Sequence, residues 1–433
     1  MSNTFSIAFN WLSRQYGDAI ERATLAEIKI SADDSVITEL EDINAKTIRQ
    51  SVRVSAYNAA LWFASNWWRL LWEPERNTLS WRMCHKLGAA GGGYLWPDIS
   101  FSSDGYLINV LSRETTHKND QSVRYLHNFE IPVPVDDFKN AIDVFIEAII
   151  SRLLDEGISE SDLASIWKDV LEERKDSKLS QWRKLEAILG YDPDEAPEEI
   201  ILGLQDEAAR YGESAIEEMA ASSGNQAKHD IDVLWNYNRS HAASLQIPDS
   251  ERLRDIIIKS MKPAKPWEQA EIAASIVRGY WDLPSPIETD KLSDLLSLSQ
   301  DAILGHNGAG AKISAGFRDS HPDKISIVFG SMRHSNRRFA LSRLIGDHLI
   351  TSINEKLLPI TKVKTQRQKF QKAFAQELLC PYAKLEEFLN DKPLSEEAIE
   401  DAADYFLVSP LTISTTLVNK GRLNRSFLSD YSR

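Results

Sequence analysis

From Asp136 onward the apolar positions recur with helical spacing. Phe138, Ile142, Phe145, Ile146, Ile149 and Leu153 predict one long helix, with Asp136 as N-cap and Gly157 as its stop. Ser159 is placed to cap a second helix through Leu163, Ile166, Trp167 and Val170, with Asp162 in its first turn. Further acidic helices run to about Ala221, where Ser222 to Asn225 interrupts them, and Met261 to Pro266 reads as a linker. Earlier in the chain the period shortens. Glu27 to Ile30, Val36 to Leu40 and Ile48 to Ser55 predict short strands, and Ile99 to Phe101 and Tyr106 to Leu111 flank a Ser-Ser-Asp-Gly turn. Between them Tyr57 to Trp72 is apolar nearly all round, which predicts a helix that is wholly buried or covered by a partner.

Beyond Pro266 the pattern predicts a helix over Trp267 to Tyr280 and a strand over Lys324 to Gly330. Asn336 is placed to cap a long apolar helix from Arg337 to Ile353. A helix from about Gln366 to Leu379 ends at Cys380-Pro381, and Ser395 to Phe406 and Pro410 to Asn419 form a final pair. The fold class is therefore α+β and predominantly helical. It divides into a Trp/Gly-rich α+β domain (1–135), an acidic helical region (136–262) and a C-terminal domain (263–433).

The 433 residues, 42% hydrophobic and 26% charged, exclude collagen-like and largely disordered classes. The longest uncharged stretches, Val54 to Trp68 and Tyr405 to Asn419, are 15 residues each. A bilayer crossing needs about 20, so no membrane partner is expected. The first residues lack an export signal, and Cys84 and Cys380 have no disulfide or metal spacing, so a reduced cytoplasmic protein without cofactor is expected. Net charge is −14, with +4 in residues 301–433 and −18 before them. Such an acidic body repels phosphate backbones.

Several segments carry candidate chemistry. Lys362, Lys364, Arg367, Lys369 and Lys372, with Lys356, form a basic patch ahead of the final helix pair, a candidate DNA contact or else a solvated helix face. Pro410 to Asn419 carries no Arg or Lys for reading guanine edges. Gly305 to Ser314 superficially suggests a phosphate loop, but Ala311 separates Gly310 from Lys312. Gly91, Gly92 and Gly93 with Tyr94 and Trp96 permit close approach of a ligand. Together with Trp67, Trp68 and Trp81 they read as an aromatic ligand or partner surface, or as a Trp-rich core with a tight turn. His321, His334 and His348 have no metal-ligand spacing.

An ordered set of segments in the last third, about residues 265–421, resembles the ImmA/IrrE family of zinc-dependent peptidase-like domains. These are Ala274 to Pro284 with Pro286-Ile287, the strand at 325–329, Arg337-Arg338-Phe339-Ala340-Leu341, Ala373 to Pro381, and Val408-Ser409. The resemblance implies a zincin domain whose central helix carries His-Glu-x-x-His, two zinc ligands one helical turn apart and a general base. At those positions this chain has Arg343, Leu344 and Asp347, and no carboxylate occurs from Lys356 to Gln376 to supply the third ligand. The domain is thus expected to be degenerate, with no metal and no peptidase activity, and Arg343 and Asp347 are expected to pair across the vacated position or to stand as solvated charges. The family's setting implies a toxin, sensor or regulatory component of a bacterial toxin–antitoxin or phage-defence system, binding a protein partner such as an antitoxin, repressor or phage protein. Two other readings are an enzyme with a non-zinc site in the first domain and a DNA-binding regulator using the C-terminal helices.

Overall fold

A computed structural model describes residues 4–13, 17–116, 121–261, 264–305, 311–319, 321, 324–390, 393–425, 427 and 428. Residues 306–310 of the glycine-rich segment and 262–263 of the expected linker lie outside the described residues. The protein is α+β and predominantly helical, and no described helix is long and apolar enough to cross a membrane. It forms two compact units, Met1–Ile201 and Leu202–Arg433.

In the first unit strand Leu25–Ala32 pairs antiparallel along its length with Phe5–Trp11, and on its other side with Ser35–Val36 and Val52–Ser55. The expected strand over Val36 to Leu40 is broken. Thr38 Oγ1 accepts the Ile30 N–H and donates to Gln50 O, so the chain leaves this sheet, and Leu40–Asp42 pairs in a separate sheet with Thr47–Arg49 and Val123–Tyr125. Ile48 to Ser55 is likewise two strands, Thr47–Arg49 and Val52–Ser55. The expected hairpin is present as Asp98–Ser103 and Leu107–Arg113, extended by Phe129–Pro134.

The apolar run from Tyr57 is two helices, Ala56–Ser65 and Trp67–Trp72. They meet at Asn66, which leaves the helical conformation at φ −105° and ψ 12° while its side-chain amide joins its backbone N–H in donating to Trp62 O. The long helix is Val135–Asp155, with Asp136 in its first turn rather than at the N-cap. Strand Phe129–Pro134 runs straight into it, so the N-cap is Pro134, two residues earlier than expected, and Val135 N donates to Tyr106 O. The next helix, Asp162–Glu173, is capped by Ser161 and not Ser159. Phe138, Ile142, Phe145, Ile146, Ile149 and Leu153 are all buried in the core.

The second unit holds a four-stranded antiparallel sheet in the order Ala243–Gln246, Lys324–Val328, Ser314–Arg318, Leu357–Ile360. Helices Pro266–Tyr280, Gln366–Leu379 and Pro410–Asn419 match their expected spans, and Ser395 caps Glu396–Phe406. The central helix is His334–Ile350, starting before Asn336, whose side chain instead donates to Ser331 within the first turn. This helix is buried nearly all round. It packs so closely on Gln366–Leu379 that a Cβ at Gly346 would lie 2.6 Å from the Phe374 ring.

Candidate functional site

The central helix carries Leu341, Leu344, Ile345 and Leu349 into the apolar core of the second unit, and Leu344 covers Gly316 of the sheet. The same helix also buries Arg338, Arg343, Asp347 and His348, each of which must find partners away from water. Arg343 is 7% exposed and Asp347 fully buried, so they are not solvated charges. Nor do they pair with each other. Arg343 Nη2 donates to Thr361 O at 2.9 Å, to Gln371 Oε1 at 3.0 Å and to Gln368 Oε1. Asp347 instead receives a two-pronged bond from Arg367, Nε to Oδ1 at 2.8 Å and Nη2 to Oδ2 at 2.7 Å. Bidentate guanidinium–carboxylate geometry outcompetes an i, i+4 contact whose order opposes the helix dipole.

Arg367 extends the network. Its Nη1 donates to Ser214 Oγ at 3.0 Å and lies 3.7 Å from Glu355, which accepts the Ser214 and Ala215 N–H groups at the start of helix Glu213–Ser223. Burial alone would lower the Arg367 pKa, but Asp347, Glu218 and Glu355 together hold it above its ordinary value. Arg343 has no carboxylate bonded to it, and burial moves its pKa down to about 10. Glu218, from helix Glu213–Ser223, is 5% exposed and its Oε2 has no hydrogen-bond partner. Burial pushes this carboxyl up to about 7, opposed by the nearby Arg367 and by hydrogen bonds from Thr365 and Gln368.

At the helix C-terminus Arg254 and Arg318 both donate to the backbone carbonyls of His348 and Thr351, satisfying groups the helix leaves open. Arg318 Nε also donates to His348 Nδ1 at 3.0 Å. A guanidinium cannot accept, so the His348 ring proton sits on Nε2. Burial, with Arg318 and Arg254 beside it, lowers the His348 pKa to about 3.

The network also closes the edge of the sheet. Gln368 and Gln371 donate to Pro359 O at 3.0 and 3.1 Å, Gln368 Oε1 accepts the Thr361 N–H at 2.9 Å, and Arg343 binds Thr361 O. Pro359 O and both backbone groups of Thr361, on the open side of this strand, are therefore spent on side chains of the same unit.

These residues do not fit a zinc ion. Arg343 presents N–H donors, Leu344 an alkyl group, and Asp347 a carboxylate whose oxygens both accept from Arg367. Among the described residues no three His, Cys, Asp or Glu side chains converge to hold a metal. Gln368 stands in the stretch where a third ligand was expected, and its carbonyl oxygen is bonded to Arg343.

The other candidate residues lie elsewhere. Arg367 is buried, and so is not part of a surface basic patch. Lys372 turns back onto Lys362 O and Val363 O, while Lys362 and Lys364 are exposed and Lys369 is half-buried. In the first unit Trp67, Trp68, Trp81 and Trp96 are all buried, so they form core and not a ligand surface. Trp67 meets Trp167 edge-on, Trp68 Nε1 donates to Glu173, and Trp81 stacks on His85. The loop at Gly91, Gly92 and Gly93 has φ of +65°, +71° and +76°, and is closed by Trp96 Nε1 donating to Gly91 O and Tyr94 OH bonding Glu21. Sequence reasoning missed Glu218, Arg318, Glu355 and the two glutamines. Only Gln368 and Gln371, one turn apart on the helix that precedes Cys380, left a local trace. No family model, curated protein or solved structure matches the chain.

Proposed function

We propose that the second unit is a degenerate ImmA/IrrE-like domain that acts by binding a protein partner rather than by hydrolysis. In this reading the chain is a cytoplasmic toxin, sensor or regulatory component of a bacterial toxin–antitoxin or phage-defence system, with an antitoxin, repressor or phage protein as its partner. The observation that carries it is the occupied position at residues 343–347. A guanidinium fixed by Thr361, Gln368 and Gln371 and a carboxylate fixed by Arg367 stand where the resemblance places zinc ligands. Hydrolysis needs an open coordination position with an activated water, and here the polar capacity is turned inward to hold the fold. Affinity capture of the full chain from its native cells, with and without the Asp347→Asn substitution, tests the reading. One protein is expected to be retained stoichiometrically by the parent chain and to be recovered intact. Cleavage of that protein by the purified chain, abolished by a chelator, would overturn it.

A further inference from the structure

Strand Phe5–Trp11 is an edge of its sheet: it pairs with Leu25–Ala32 and with no other described strand. The flanking bonds Asp33 N to Thr4 O and Leu12 N to Leu25 O place the even-numbered residues in the hydrogen-bonded positions toward Leu25–Ala32. The N–H and C=O groups of Phe5, Ile7, Phe9 and Trp11 therefore point away from the sheet, and no described residue bonds to them. Natural edges are blunted by lysine, proline, a bulge or a covering segment. This one has seven residues, no charge, no proline and an unbroken register.

The strand is also complementary to itself. Reversed about Ala8, Phe5 faces Trp11, Ile7 faces Phe9, Ser6 faces Asn10 and Ala8 faces Ala8. Every outward-pointing residue then meets another outward-pointing one, so the register satisfies the antiparallel hydrogen-bond pattern without adjustment. Ser6, Ala8 and Asn10, which are exposed, meet in the closer non-hydrogen-bonded pairs, where small uncharged side chains fit. We propose that a second copy of this chain docks here, the two Phe5–Trp11 strands pairing antiparallel about a two-fold axis at Ala8 to join the two sheets. With −14 on each chain the copies repel at long range, so pairing strengthens with salt; docking of a basic peptide on this acidic protein would weaken instead.

Sedimentation velocity on the full chain across concentration and salt tests this. The parent chain is expected to move from monomer to dimer with concentration, more readily at high salt. Ala8→Lys puts two ammonium groups opposite each other and should weaken the dimer at least about fivefold, with unchanged circular dichroism and melting temperature. Ser6→Lys with Asn10→Lys should likewise give monomers, whereas Ser6→Glu with Asn10→Lys, which places opposite charges face to face in this register alone, should retain the dimer. Ala8→Cys should form an intermolecular disulfide on mild oxidation, because the facing Cα atoms of such a pair lie about 4.5 Å apart and Cys84 and Cys380 are buried. A parent chain monomeric at every concentration, or a dimer that survives Ala8→Lys, overturns the proposal.

Discussion

Replacing Glu218 by glutamine isolates one of two opposed proton equilibria inside the buried network. The Glu218 carboxyl has an ordinary pKa of 4.5 and is held at about 7 in the fold. Between these values the folded chain keeps a proton that the unfolded chain has released, so stability falls as pH rises through the window, by about 3 kcal/mol in all. His348 moves the other way, from 6.5 to about 3. From pH 6.5 downward the unfolded chain binds a proton that the folded chain refuses, and stability falls with acidification. Between pH 6.5 and 4.5 the two slopes are each about 1.4 kcal/mol per pH unit and of opposite sign, so they cancel in the parent chain. Glu218→Gln keeps the shape of the side chain and removes its proton, leaving the His348 slope exposed. Urea unfolding of parent and variant at a series of pH values reads the difference directly, since every other titrating group is common to both. The variant is expected to lose about 2–3 kcal/mol relative to the parent between pH 6.5 and 4.5. His348→Gln should do the reverse and gain relative stability over the same interval. Equal pH slopes for all three chains would refute the assignment of a neutral Glu218 and a neutral His348.

Arg343→Met should cost about 3–5 kcal/mol in urea unfolding, because Thr361 O, Gln368 Oε1 and Gln371 Oε1 lose a buried donor; a loss below about 1 kcal/mol would mean that these groups find other partners. Gly92→Ala should lower the melting temperature more than Gly93→Ala. Both have positive φ, but a Cβ at Gly92 would lie 2.0 Å from Asn58 Nδ2, whereas one at Gly93 meets nothing.

The local pattern carries five helices of the second unit, whereas it leaves Ala227–His241, Ser250–Ser260, Thr289–Leu295, Gln300–Leu304 and Tyr382–Leu389 unread. Gln366–Leu379 and Pro410–Asn419 are delimited by local signals, a Thr or Ser cap before them and Pro381 or Lys420-Gly421 after. Local signals mislead where a neighbour in space sets the boundary. Pro134 leads from a strand directly into Val135–Asp155, Thr38 pulls the chain out of its sheet, and Asn66 splits an apolar run that hydropathy reads as continuous. The site divides in the same way. That Arg343, Leu344 and Asp347 cannot hold zinc follows from their chemistry alone. Their true partners do not follow, because Arg367, Gln368, Gln371 and Glu218 come from other helices and are chosen by packing. Arg367 is the clearest case. Among lysines in sequence it reads as surface charge, while in the fold it is the counter-ion of a fully buried aspartate.

An Arg/Gln/Asp network holds the second unit together at residues 343–347, and under the proposed ImmA/IrrE-like reading no metal binds there. The most direct measurement is the zinc content of the native chain after equilibration with excess zinc and gel filtration, with Asp347→Ala in parallel. Substoichiometric zinc in both chains, with no chelator-dependent change in unfolding, is the predicted result. One zinc per parent chain, lost in Asp347→Ala, would contradict it.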